Sequence, residues 1–276
     1  DGAWALYEAW VRLQLGDIDT ALVYCFGRSS PSASVAELLS RQLDPYVMAP
    51  LWPDALSMAA LQARAGLDAG LYTEADMAAV AARSRTSAAS NPKAQLQGSP
   101  PPEALLKEPY VVAPLRRHDC PPVTDGSAAV ILAAGDAARR LVSRPAWIAG
   151  IDHRIETHSL GARDLASSPS TQAAARAAGA FGTCGEDLRP GVEIAELHAP
   201  FTHQELILRA ALGLGEDVAV NLSGGALAAN ALMVAGLVRI GEAARRIWSG
   251  EATRALAHAT SGPCLQQNLV CVLEGE

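Results

Sequence analysis

The sequence predicts an α/β protein in which sheets are layered with alanine-rich helices, and three observations carry that prediction. Short apolar, β-prone runs alternate with helical periods along the chain; several of the helical periods consist largely of small residues; and one helix–turn–strand unit occurs near both ends. Strands that alternate with helices belong to a parallel or mixed sheet covered on both faces. Small-residue helices pack closely, as a helix held between two sheets must.

In chain order, Leu6, Ala9, Trp10 and Leu13 recur at helical spacing and predict an amphipathic helix ending at Gly16. The run from Thr20 to Phe26, bounded by Asp19 and Gly27, predicts a strand buried on both faces. Residues 54–90 are helical in period, and Thr73 with Asp76 fits an acidic capping box for the second of two helices. Asn91 to Pro102 holds Asn-Pro, Gly98 and three consecutive prolines, and predicts a loop. Ser127 to Ala133, behind the turn Asp125-Gly126, and Ala146 to Ile151 predict two more buried strands. A helix follows from about Thr171 to Ala178, then a strand at Val192 to Leu197 and a helix at His203 to Leu212. Gly224-Gly225 opens a long helix running through Arg239-Ile240 to about Trp248, and Leu269 to Leu273 predicts the terminal strand. Gly250 to Ala257 echoes Gly16 to Val23, with a Gly-acidic turn, two more residues and a small-apolar strand. Copies so far apart imply two related halves instead of a solenoid.

A chain of 276 residues, half of them apolar, is long enough to bury one large core or two modest ones. With 22 basic and 29 acidic residues, a net charge of -7 and no basic run beyond a pair, it lacks the footprint of a nucleic-acid surface. No apolar stretch reaches the roughly 18 residues of a spanning helix, and nothing marks export, so the expected location is the cytoplasm. Cysteines 25, 120, 184, 264 and 271 form an odd set without Cys-x-x-Cys spacing. That pattern argues against a zinc site or a full disulfide framework, and most of these residues are expected to be buried thiols.

Three motifs stand in order along the chain: Asp125-Gly126-Ser127-Ala128-Ala129, His198-Ala199-Pro200-Phe201 and Asn221-Leu222-Ser223-Gly224-Gly225. They resemble, in turn, the Ser-Asp-Gly-Ala-Ala strand start, the His-x-x-Phe motif and the Asn-x-Ser-Gly-Gly turn of thiolases of the sterol-carrier or lipid-transfer type. Asn91 to Gln95 and Cys120 to Thr124 suit the loop region of the same proteins. With the duplicated unit, most of the chain resembles a member of the thiolase superfamily, similar to acetyl-CoA acetyltransferases.

The resemblance implies a layered α-β-α-β-α fold of two related halves. Residues 1–143 would be the remainder of the N-terminal half, including a loop region at about 31–122, and residues 144–276 the C-terminal half. It implies an acyltransferase of thiolase type, acting by acyl transfer or thiolytic cleavage on the carbon–carbon bond of a lipid or sterol side-chain acyl-CoA. A coenzyme A thioester is then the substrate, with no covalently bound cofactor and no metal. A homodimer or higher oligomer is expected, paired through the strand at Thr20 to Phe26. The alternatives are a retro-aldolase of a β-hydroxyacyl-CoA with a small OB-fold partner protein, and a non-catalytic lipid or acyl-CoA binding protein.

Three departures qualify the resemblance. The nucleophilic cysteine of thiolases begins the helix ahead of the first Gly-Asp turn, and counting back from Gly16-Asp17 places it just before Asp1. The expectation is therefore that the N-terminal part of the family's fold, with its first strands, is missing from these residues. The Gly-His-Pro motif is represented by Ala229-Asn230-Ala231, whose amide can still donate to an oxyanion but cannot transfer a proton. The Cys-x-Gly motif is represented by Cys264-Leu265-Gln266.

On this resemblance, His198, Asn230 and Cys264 are the candidate catalytic residues, expected to converge at one end of the sheet. His198 would polarise a thioester oxygen, Asn230 would donate to an oxyanion, and Cys264 would exchange a proton with the substrate α-carbon. Ser223, Gly224, Gly225 and Phe201 are the candidate substrate contacts. Each has a plainer reading beside the functional one: a strand-end histidine, a helix-capping asparagine, a buried thiol, and a glycine turn that cradles an anion. His118, between Arg117 and Asp119 in one loop with Cys120, carries little of this weight.

Overall fold

The computed structural model describes residues 1–31, 35–181 and 191–276, so Cys184 lies outside the described residues. The first half contains α1 (Gly2–Leu15), β1 (Thr20–Gly27), α2 (Val35–Ser40), α3 (Ala55–Asp68), α4 (Glu74–Ala88), α5 (Pro102–Leu105), β2 (Tyr110–Val112), β3 (Leu115–Arg116), β4 (Gly126–Ala133) and α6 (Gly135–Leu141). There follow β5 (Trp147–Ile155), α7 (Pro169–Ala177), β6 (Ile194–Leu197), α8 (Thr202–Leu212), β7 (Ala219–Val220), α9 (Gly225–Ala228), α10 (Ala235–Trp248), β8 (Arg254–Ser261) and β9 (Gln267–Glu274).

The main sheet has five strands in the order β5-β9-β8-β6-β7 and is mixed: β6 runs parallel to β7 and β8, whereas β8–β9 and β9–β5 are antiparallel. A second, two-stranded antiparallel sheet joins β1 to β4. Helices α1 and α10 lie between the two sheets. One apolar core joins Ala3 and Leu6 of α1, Val23 of β1, Leu132 of β4, Leu237, Ile240 and Ile247 of α10, and Ala255, Ala257 and Ala259 of β8. The other face of the main sheet is covered by α7 and α8, with Ala174, Ala175, Ile207, Leu208 and Leu212 packed on Leu197, Leu256, Val270 and Val272. Sequence economy explains the inner layer: a Cβ on Gly236 would stand 2.7 Å from Ala259 Cβ, so α10 reaches β8 only because position 236 has no side chain.

The duplicated unit has a structural counterpart. Both α1 and α10 span 14 residues, and each is followed by a glycine at φ 75, Gly16 and Gly250, an acidic residue, and an eight-residue strand. Each strand then pairs antiparallel, β1 with β4 and β8 with β9. The Thr73–Asp76 capping box forms as its sequence implies, with both reciprocal bonds present at the start of α4.

Two expectations are corrected. Thr20 to Phe26 is not buried on both faces within the chain: Leu22, Tyr24 and Phe26 remain 66%, 67% and 70% exposed, as does Ile131 at 66% on β4. Only the alternate face of this ladder packs on α1 and α10, and among the described residues nothing covers the other. The long helix expected from Gly224 to Trp248 is broken into α9 and α10. Ala229 is extended, the Asn230 carbonyl accepts the Thr124 N–H at 3.4 Å, Ala231 bridges Thr124, and Met233 is left-handed at φ 71. An alanine-rich sequence favours a continuous helix, and the contact with Thr124 overrides that local preference.

Candidate functional site

The site lies where the parallel strand β6 ends. His198 follows Leu197 directly, at the carboxyl end of the strand, the edge at which open α/β sheets place ligands. Its backbone N–H donates to the His258 carbonyl on β8 at 3.1 Å, which fixes the ring against the neighbouring strand. Its Nδ1 accepts the Thr260 N–H at 3.4 Å, so the neutral ring carries its proton on Nε2. That N–H faces Asn230 Oδ1, also at 3.4 Å. Burial, with the neighbouring His258 and Arg239 acting in the same direction, pushes His198 down to about 3, and the ring is neutral at physiological pH.

Asn230 reaches this position because α9 ends early and Thr124 holds its carbonyl. With Oδ1 taken by the histidine, the amide N–H groups have no protein partner among the described residues. They form a neutral donor pair at the end of the sheet, suited to an oxygen that gains negative charge.

The structure brings the His198 and Asn230 side chains into contact, and the hydrogen bond of the Cys264 thiol goes to neither of them. Cys264 lies on the turn between β8 and β9, where its Sγ donates to the Met58 carbonyl at 3.4 Å and packs with Leu43, Met58 and Leu160. Burial pushes this thiol up to about 11, against the lowering influence of Arg163, so it is protonated at neutral pH. Cys120 is likewise pushed up to about 11 and Cys271 to about 12 by burial.

The glycine turn is built for packing and support. Ser223 is buried, and both its N–H (3.0 Å) and its Oγ (2.6 Å) donate to the Glu196 carboxylate. Arg239 on α10 pairs with the same carboxylate at 3.0 Å and donates to Ser223 Oγ at 2.6 Å. Gly224 sits at φ 92, and a Cβ there would meet Ala88 Cβ at 2.6 Å, so the turn closes against α4 only with glycine. Asn221 links this turn to the strand bearing His198: its Oδ1 accepts the Leu197 N–H at 2.7 Å, and its Nδ2 donates to Glu205 at 2.8 Å. Phe201 is half-buried against the core beneath α8, its ring centre 5.9 Å from that of His203.

Sequence reasoning missed Glu196, Arg239, Asn268 and His258, all buried. A signal existed for the first two, because each puts a charge in the middle of an apolar period, Ile194-Ala195-Glu196-Leu197 and Gly236-Leu237-Val238-Arg239-Ile240. Their pairing across elements had no local signature. Among the described residues no helix is long and apolar enough to cross a membrane.

No family model matches the chain. Among curated proteins it is 30% identical over 217 residues to an acetyl-CoA acetyltransferase of Methanothermobacter thermautotrophicus, covering 71% of this chain and 55% of that protein. It is 28% identical over 143 residues to the benzoylsuccinyl-CoA thiolase subunit BbsB of Thauera aromatica, covering 51% of this chain and 36% of the subunit. The chain thus spans about half the length of the first relative and about a third of the second. Among solved structures, an Ltp2-ChsH2(DUF35) aldolase superposes with a TM-score of 0.79 at 19% identity, over 99% of this chain and 77% of that one. A monomeric SCP2-thiolase-like protein type 1 from Mycobacterium smegmatis superposes with a TM-score of 0.74 at 19% identity, over 99% of this chain and 60% of the other.

Proposed function

Because the chain belongs to the thiolase superfamily, we propose that it acts on acyl-CoA thioesters, making or breaking the bond between the α- and β-carbons of the acyl group at the His198–Asn230 pair. The observation that supports this reading is the 3.4 Å contact between the two side chains, which orients the Asn230 amide with its donors free. When the bond between the α- and β-carbons breaks, its electron pair passes to the α-carbon and the thioester oxygen takes up negative charge as an enolate. The Asn230 N–H groups stabilise that oxygen. Neutral His198 fixes the amide and supplies no proton of its own.

Our primary reading is thiolytic cleavage of a 3-oxoacyl-CoA of lipid or sterol origin, the shortened acyl group passing through a cysteine nucleophile to free coenzyme A. The second is retro-aldol cleavage of a β-hydroxyacyl-CoA, in which a base removes the hydroxyl proton and a carbonyl product leaves. Likeness of fold to an Ltp2-ChsH2(DUF35) aldolase supports this second reading and a partner protein for it. The purified protein should be incubated with a 3-oxoacyl-CoA plus coenzyme A and, separately, with a β-hydroxyacyl-CoA, with products resolved by chromatography. Coenzyme-A-dependent release of acetyl-CoA and a shortened acyl-CoA is the expected result. Carbonyl release without coenzyme A consumption selects the second reading, and binding without cleavage of either leaves a carrier.

The open face of β1 and β4 supports a homodimer in which a second copy covers Leu22, Tyr24, Phe26 and Ile131 and pairs with the free edge of β1. Light scattering at micromolar concentration should give twice the monomer mass, and Tyr24→Lys should shift the protein toward monomer. A single-chain mass for the unaltered protein would remove this interface, in the manner of the fold neighbour described as monomeric.

A further inference from the structure

We propose that Arg163 and Asn268 are positioning residues that together clamp three consecutive carbonyls and so hold the Cys264–Leu265 backbone in a left-handed conformation. Cys264 and Leu265 sit at φ 54 and φ 57, a region that favours glycine. Neither is glycine, and two such residues in succession persist only where the surroundings over-determine them.

Here the surroundings are side chains. The guanidinium of Arg163 forks onto the loop, Nη1 donating to the Pro263 carbonyl at 3.1 Å and Nη2 to the Cys264 carbonyl. The Asn268 amide donates to the next carbonyl, Leu265, at 2.7 Å. One residue further on, the Gln266 carbonyl accepts the Glu156 N–H at 2.7 Å. Four successive carbonyls are therefore taken, three of them by two side chains.

The clamp is itself anchored. Asn268 is fully buried, and its Nδ2 also donates to Ser170 Oγ at 2.8 Å, which fixes the orientation of the amide. Its Oδ1 then accepts from His258 Nε2 at 3.0 Å, on the strand whose residue 258 carbonyl holds the His198 backbone. The same buried strand thus ties the Cys264 turn to the candidate site. Arg163 has no carboxylate within ion-pair distance among the described residues, unlike Arg116, Arg239 and Arg254. Its guanidinium, whose burial depresses its pKa, serves the loop carbonyls instead.

The consequence for function rests on the reading above; the clamp does not. With the carbonyls of residues 263–265 turned to Arg163 and Asn268, the trans peptide units direct the N–H groups of residues 264–266 to the opposite side, at the turn that corresponds to the Cys-x-Gly motif.

The test is a substitution series. Cys264→Ala and Cys264→Gly both remove the thiol, but only glycine removes the cost of the left-handed backbone. Arg163→Met is then made in the unaltered protein and in each background, and thermal midpoints are measured. We expect Arg163→Met to lower the midpoint by about 4 °C in the glycine background, and by less than half as much in the unaltered protein and in the alanine background, where release of the left-handed backbone offsets the lost hydrogen bonds. An equal drop in the alanine and glycine backgrounds overturns the clamp. Should Arg163→Met fail to fold, Arg163→Lys serves, because an ammonium cannot fork onto two carbonyls, and it must show the same background dependence. Calorimetric titration with acetyl-CoA reports the functional consequence. Binding should weaken about tenfold in Arg163→Met and recover when Cys264→Gly is added. If the unaltered protein does not bind acetyl-CoA, the functional reading fails while the clamp is decided by the midpoints alone.

Discussion

Acidification from about pH 6.5 to about pH 5 is expected to lower this protein's stability by several kcal/mol. Burial, as the largest cause in each, pushes the buried His198 and His203 down to about 3 and His258 to about 4, from an ordinary 6.5. In the unfolded chain each takes up a proton near its ordinary value; in the folded chain each stays neutral. The unfolded state binds more protons over this window, so stability is full above the ordinary value and is lost as pH falls toward the folded one. One such group contributes about 1.4 kcal/mol per pH unit, and three contribute roughly 6 kcal/mol across the window, comparable with the roughly 5–15 kcal/mol of a typical domain. Glu196 and Asp119 act in the opposite direction, because burial raises their carboxyls and lets the folded state take protons first. Urea midpoints between about pH 7.5 and pH 5 measure the net uptake. His203 belongs to α8 and among the described residues its side chain hydrogen-bonds only Gln62, at 3.3 Å, so His203→Leu should flatten the pH dependence by about one proton. An unchanged slope would sink this account.

Much of the fold was legible because its determinants are local. The Gly16 cap, the Thr73–Asp76 box and the Gly-acidic turn at Gly250 are set by a few neighbouring residues, and the structure forms all three. What could not be read depends on distant partners. The break between α9 and α10 is imposed by Thr124, which no helical period reveals. The uninterrupted apolar run in β1 looks buried on both faces, but only a second layer or a second molecule determines whether the outer face has cover. His198 and Asn230 were visible through motifs, and their contact through the end of β6 was expected from topology. The supporting side chains were invisible as partners: His258 meets Asn268 only because β8 folds back antiparallel on β9 in a particular register. Glu196 shows the same limit in a different form. A lone glutamate in an apolar strand signals a buried charge, while the identity of its cation, Arg239 on the next layer, follows only from packing.

Replacing Asn230 is expected to have the largest effect on turnover. If the Asn230 amide stabilises the enolate oxygen, Asn230→Ala removes a preorganised donor from a buried site and should lower kcat about 10²–10³-fold. KM should change little, because the donor acts on charge that develops in the transition state and is nearly absent in the bound thioester. Folding should survive, since the contacts that hold this segment to Thr124 are made by the Asn230 carbonyl and the Ala231 backbone, which alanine keeps. Asn230→Asp is the sharper comparison. It preserves size and an acceptor facing His198 Nε2, but presents a carboxylate where the enolate forms, so it should be at least as slow as alanine and should draw the His198 pKa upward from its depressed value. The measurement is steady-state kinetics of carbon–carbon bond cleavage in the acyl-CoA for the three proteins, with proton NMR titration of His198 alongside. Retention of full kcat by Asn230→Ala would place the oxyanion donor elsewhere and reduce the His198–Asn230 contact to packing.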